Sequence, residues 1–234
     1  NNGTLTVNSA AEYLDANGVL QSMDNVILLT SDNLPLVWGK DGEDTWYYVF
    51  EDVEFRDRIE VRGNVHLILK NRTKLTAHSG IEVADSDGDV TNGSDNNLTV
   101  YAQSHDTDMG ELEAYAGRWS NDPNSNYYTA DGAAIGGSAV KLHSGHIVIN
   151  GGKVTAWVRA NLPGYPAAIG GGNSPNDNIG GAGVVTVNGG IVTATSYARG
   201  FGIGTGYGGS GGSVTVNGGV VTATGDFESG GAIG

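Results

Sequence analysis

The loop Asp85-Ser86-Asp87-Gly88-Asp89 places three carboxylates at alternate positions. Carboxylates so spaced can converge on a hard cation, and calcium takes roughly six to eight oxygens from loops of this kind. Asp85, Asp87 and Asp89 are therefore the candidate calcium ligands, with Asp95, Asp106 and Asp108 as further donors. The loop is not an EF-hand: its glycine comes too early, and Asn96 stands where the bidentate Glu belongs. A solvated acidic turn is the plain alternative. His143 and His146 have HxxH spacing, but a strand would point them to opposite faces, so zinc is not expected.

A second chemistry lies in the aromatics. The insert 114–132 carries Tyr115, Trp119, Tyr127 and Tyr128 among Asn, Asp and Ser. Aromatic faces stack on the apolar faces of sugar rings while neighbouring amides and carboxylates bond hydroxyls, and loops on rigid scaffolds commonly carry function. Tyr165, after Trp157 and Arg159, joins this candidate ligand-binding set; Tyr197, Arg199, Phe201 and Tyr207 form a third such segment. The alternative is that these rings only cover the flank of the scaffold. Catalysis is not expected. A glycoside hydrolase needs a carboxylate pair on one face, yet Asp177, Asp226 and Glu228 are the only acids after residue 131. The run Glu51, Asp52, Glu54 and Asp57 reads as a solvated face.

The elements that position these residues follow from composition and periodicity. Of 234 residues 39 are glycine, none is cysteine, and the formal net charge is −14. A disulfide scaffold is excluded. The excess of acid argues against nucleic acid, and no apolar run approaches the roughly 20 residues of a membrane helix. Residues 1–131 hold 10 glycines and a net charge of −15; residues 132–234 hold 29 glycines and a net charge of +1. Such an acidic half repels polyuronates unless a cation bridges the two, which favours neutral glycans or calcium-bridged acidic ones.

The segments 145–156, 183–195 and 213–224 share the core apolar-x-apolar-Asn-Gly-Gly-x-Val-Thr-Ala, with asparagines at 150, 188 and 217. Between them, Ile135, Ile169, Ile203 and Ile233 recur at spacings of 34, 34 and 30. Two interleaved motifs at such periods mark a solenoid. Within each unit Val185 and Val187 alternate with Thr186, and Val192 and Ala194 with Thr193 and Thr195, so the local period is that of a strand. The expected fold is all-β: a single-stranded right-handed parallel β-helix with an irregular N-terminal cap, its asparagines stacked in a column. Thr193-Ala194-Thr195 and Thr222-Ala223-Thr224 begin an outward threonine ladder, which Trp157 and His78 interrupt.

One domain spans 1–234: a cap and irregular coils over 1–57, acidic coils over 58–131, and glycine-rich regular repeats over 132–234, read as continuing past the last residue. The segment 3–9 reads as a first strand and 11–20 as a short capping helix. An end without a cap also implies end-to-end self-association.

The strings GNVHLIL, KLTAHSGIEV, NNLTVYAQS, DGAAIGGS and VNGGxVTAT resemble carbohydrate-binding β-helix proteins on the surface of Firmicutes, of the cellulose- and pectate-binding clostridial type, over about residues 58–234. The resemblance implies a secreted or cell-surface protein with calcium sites that binds plant polysaccharide or host glycan. The expected function is thus an extracellular carbohydrate-binding or adhesin module, calcium-assisted, with no catalytic residues. A structural stalk or filament segment is the alternative, and a polysaccharide lyase or hydrolase the second.

Overall fold

The computed structural model describes residues 6–7, 10–84, 96–116, 132–138, 143–159, 165–172, 181–209, 211–225 and 231–234. The chain is all-β, its main sheets are largely parallel, and no helix occurs among the described residues.

The alternation of β-branched and polar residues becomes two facing sets of strands. Six of them, Val53–Phe55, Lys74–Ala77, Glu111–Ala116, Lys153–Val158, Ile191–Ser196 and Val220–Thr224, form one parallel sheet in chain order. The register is unbroken: Leu75, Leu112, Val154, Val192 and Val221 are direct partners, as are Ala77, Ala114, Ala156, Ala194 and Ala223. The first four residues of each series are buried.

A twelve-stranded sheet supplies the rest of the wall. Its organiser is the 11-residue strand Ile59–Leu69. One side of this strand pairs with Val37–Val49; the other takes two strands end to end, Ile81–Glu82 at residues 59–60 and Asn97–Ala102 at 64–69. Two rows of short parallel strands grow from there. One continues through His146–Ile149, Val184–Val187 and Ser213–Val216; the other through Ile135–Gly136, Ile169–Gly170 and Ile203–Gly204. Asn96 wedges the point of divergence. Its Oδ1 accepts from the Gly63 N–H at 2.9 Å, and its Nδ2 donates to the Ala84 carbonyl at 2.8 Å. The strings RIEVRG and GNVHLIL run together as one strand that bends at Gly63, where φ is 66°.

The core lies between the sheets as columns of like residues. Val65, Leu98, Ile147 and Val185 form one row and Ile81, Ile135, Ile169 and Ile203 another, all essentially inaccessible. Each such side chain contributes about 1.5–3 kcal/mol by leaving water. The isoleucine row is followed by a glycine column. Gly136, Gly170 and Gly204 have φ of 138°, 123° and 144°. A Cβ on Gly170 would lie 2.1 Å from the Gly204 carbonyl oxygen, so a side chain is excluded twice, by backbone angle and by space. The expected asparagine column is present: Asn188 donates to Asn150 and Asn217 to Asn188, each at 2.8 Å.

The N-terminal segment corrects the sequence reading. Residues 11–20 do not form a capping helix. Ala11–Leu14 and Leu20–Met23 pair antiparallel as a hairpin. Asp15 turns the chain by accepting from the N–H groups of Asn17 and Val19, and Gly18 takes φ 75°. An Asn-Gly turn with a local carboxylate competes successfully with the helix propensity of Ala, Glu and Leu. The hairpin lays Tyr13 on the outer face of the large sheet, 5.1 Å from Trp46 and 4.7 Å from Tyr101. Beneath it His66 stacks on Trp46 at 4.1 Å. Thr6–Val7 pairs antiparallel with Val26–Leu29, as the strand reading of that segment expects.

Candidate functional site

The outer face of the six-stranded sheet carries the densest chemistry among the described residues. Because alternate residues point outward, the register sets two parallel lanes across the strands. The first is polar: Glu54, Thr76, Glu113, Thr155, Thr193 and Thr222. The second, two residues further along each strand, begins with rings: His78, Tyr115 and Trp157, then Thr195. Tyr197 follows one residue beyond Ile191–Ser196, and its N–H donates to the Val158 carbonyl at 3.0 Å. It thereby stands beside Arg159.

The rings are held by their neighbours. His78 and Tyr115 stack at 6.1 Å with planes only 10° apart, and Trp157 and Tyr197 meet edge-on at 5.6 Å. The Arg159 guanidinium lies 5.9 Å from the centre of the Tyr115 ring. Trp157 is 37% and Tyr197 49% exposed, unusual for rings that a rigid sheet presents side by side. Together Glu113, Tyr115, Thr155, Trp157, Arg159 and Tyr197 line an open groove of about 640 Å³, within the size range of small-molecule sites.

Charge on this face is paired. Glu113 accepts from both Lys74 and the Tyr115 hydroxyl, Glu111 pairs with Lys153 at 2.9 Å, and Glu54 approaches His78 Nε2 at 3.3 Å. Burial pushes the Glu113 carboxyl up, but the bonds from Lys74 and Tyr115 outweigh it and hold it below the usual carboxylate range. Tyr115 is pushed up to about 12, by burial first and then by its bond to Glu113. Around neutral pH the groove therefore presents a fixed carboxylate, a phenol that keeps its proton, hydroxyls and ring surfaces. Such a set can bind the hydroxyl edges and apolar faces of a polyol.

The expected site residues separate. Tyr115 is in the groove. Tyr165 is not: it packs against Tyr207 at 5.5 Å, with the Arg199 guanidinium 5.4 Å from its ring, in a second aromatic–arginine group. Trp119, Tyr127 and Tyr128 lie outside the described residues, as do Asp85, Asp87, Asp89 and Asp95. Of the further donors, Asp108 is bound to Arg72 at 2.6 Å, and Asp106 accepts from Ser104 Oγ and the Asp108 N–H. Among the described residues no group of three or more His, Cys, Asp or Glu is placed to hold a metal ion. His143 Nδ1 accepts from the Gly181 N–H at 3.1 Å.

Glu113 and Thr155 are groove residues that the sequence does not single out, and His78, outside the groove lining, stacks on Tyr115. Their signal is present in the aligned segments KLTAH, ELEAY, KVTAW and IVTAT, whose last position runs His, Tyr, Trp, Thr. The residues that interrupt a threonine ladder are the ones that build the line of rings.

Compared with protein-family models, with curated proteins and with solved structures, the chain matches none.

Proposed function

We propose that the chain is a right-handed single-stranded parallel β-helix and serves as an extracellular carbohydrate-binding or adhesin module for polysaccharide. The observation that carries the binding role is the groove in which Tyr115, Trp157 and Tyr197 stand over Thr155 and Glu113. Exposed rings beside hydroxyl-bonding groups are the usual composition of a sugar site. The fold reading is supported by partners that recur in register at spacings such as 38 residues (Lys153 to Ile191) and 29 (Ile191 to Val220). Its hand follows from the chirality of parallel crossovers. Secretion or surface display follows from the resemblance of the repeats. No catalytic residue is proposed, because Glu111 and Glu113 are each engaged by a lysine. Calcium assistance is proposed for the Asp85, Asp87 and Asp89 loop on the chemistry of its oxygens alone.

The test is retention of the full chain on immobilised cellulose, xylan, mannan, polygalacturonate and mucin, with calcium and with chelator, beside Trp157→Ala. Retention of at least one polysaccharide is expected, weakened about tenfold or more by Trp157→Ala, the effect of removing a central aromatic anchor. Equal retention with chelator removes calcium and keeps the sugar. Retention on none removes the binding role. The unbroken asparagine column from Asn150 to Asn217 favours the stalk or filament reading in that event, with sedimentation against concentration as its test.

A further inference from the structure

We infer that the ligand of this groove is a linear, unbranched glycan that runs across the strands, with up to four consecutive sugar units each set over one ring. The inference deepens the carbohydrate-binding proposal and rests on it. Four successive strand positions each present one outward ring near the C-terminal end of the strand: His78, Tyr115, Trp157 and Tyr197. Among the described residues, none of these four strand positions carries a second outward ring on the same strand. Outward residues in Glu111–Ala116 are Glu111, Glu113 and Tyr115; in Lys153–Val158 they are Lys153, Thr155 and Trp157. A chain that stacks repeatedly must therefore cross the strands.

The spacing suits this direction. Neighbouring strands lie about 4.8 Å apart, close to the repeat of pyranose units in an extended chain. Only the first three rings share one column; Tyr197 is displaced by two residues from the partner of Trp157, so the track bends at its last step. The polar lane of Glu113, Thr155 and Thr193 runs alongside at about 6.6 Å, two residues along a strand. One edge of the glycan faces hydroxyl-bonding groups while its ring faces meet the aromatics. The Arg159 guanidinium, 5.9 Å from the centre of the Tyr115 ring, joins the two neighbouring strands beside this track.

The experiment uses the full chain and soluble oligomers, one to six units long, of whichever panel polysaccharide is retained. Titration calorimetry is expected to give an affinity that rises about two- to tenfold per unit up to four, the gain of one aromatic contact each, and is flat beyond. Trp157→Ala should weaken every oligomer of two or more units. His78→Ala and Tyr197→Ala, at the ends of the line, should weaken tetramers severalfold and leave dimers within twofold. Melting temperatures confirm that each variant is folded, and His78→Phe, which keeps a ring, should restore tetramer binding if His78→Ala lowers it. A polysaccharide that is retained while its monomer binds as tightly as its tetramer overturns the inference and leaves the binding role intact. So does preference for a branched oligomer over the linear one, or equal loss for dimer and tetramer at both ends. Retention of no polysaccharide overturns both.

Discussion

Replacing Gly170 by alanine tests the backbone column directly. Gly170 has φ 123°, and its missing side chain leaves room for the Gly204 carbonyl at 2.1 Å from the ideal Cβ position. Alanine there adds backbone strain of about 1–3 kcal/mol. It also forces apart two strands joined by the Gly171 N–H to Gly204 carbonyl bond of 2.8 Å, a further ~1 kcal/mol. The expected loss is about 2–4 kcal/mol. Gly42 is the control, with φ 75° but nothing within 4 Å of its Cβ, so Gly42→Ala carries strain alone, about 1–2 kcal/mol. Urea unfolding followed by circular dichroism reads both variants, and the difference between them isolates the close approach. If Gly170→Ala is no more destabilising than Gly42→Ala, close packing of the column is refuted.

Three further outcomes are expected. Asn188→Ala breaks both bonds of the column, to Asn150 and from Asn217, and should cost about 1–2 kcal/mol in urea unfolding; an unchanged midpoint would show the column is decorative. Arg58, whose guanidinium donates to the carbonyls of Ser79 and Ala133 at 3.0 Å each, ties the chain to the row of short strands, and Arg58→Met should cost about 3 kcal/mol. Burial holds His66 below its ordinary value, against the opposing pull of Asp44. The folded state thus binds fewer protons than the unfolded one, so stability should fall as pH drops below about 6.5. His66→Phe, which keeps the stack on Trp46, should flatten that slope in unfolding midpoints measured from pH 7.5 to 5; an unchanged slope would place the titration elsewhere.

Much of the sheet scheme was legible because a parallel stack repeats its own sequence. Asn150, Asn188 and Asn217, and Ile135, Ile169 and Ile203, declare their partners by likeness, and the registers agree. The hairpin at 11–23 was not legible: its residues favour a helix individually, and only the turn at Asp15–Gly18 together with the docking of Tyr13 decides against one. The groove was half legible. Tyr115 and Trp157 are 42 residues apart, whereas Trp157 and Thr195 are 38 apart, so inserts of unequal length hide the partners until the strands are aligned. His78 and Glu113 carry no motif of their own, and their place depends on that alignment.

The asparagine column has a consequence for how the chain tolerates change in length. Asn150 presents to Asn188 the same amide that Asn188 presents to Asn217, and Val185 meets above and below it the same kind of apolar partner, Ile147 and Val214. Each interface is thus interchangeable with the next. Deleting one whole repeat would bring Asn150 opposite Asn217 with donor and acceptor already matched, whereas deleting a single residue inside a strand would turn the rest of that strand to the wrong face. Duplication and loss of entire units is the inexpensive route by which such a wall changes length, and a groove built on three neighbouring strands is left intact when units are gained or lost beyond them.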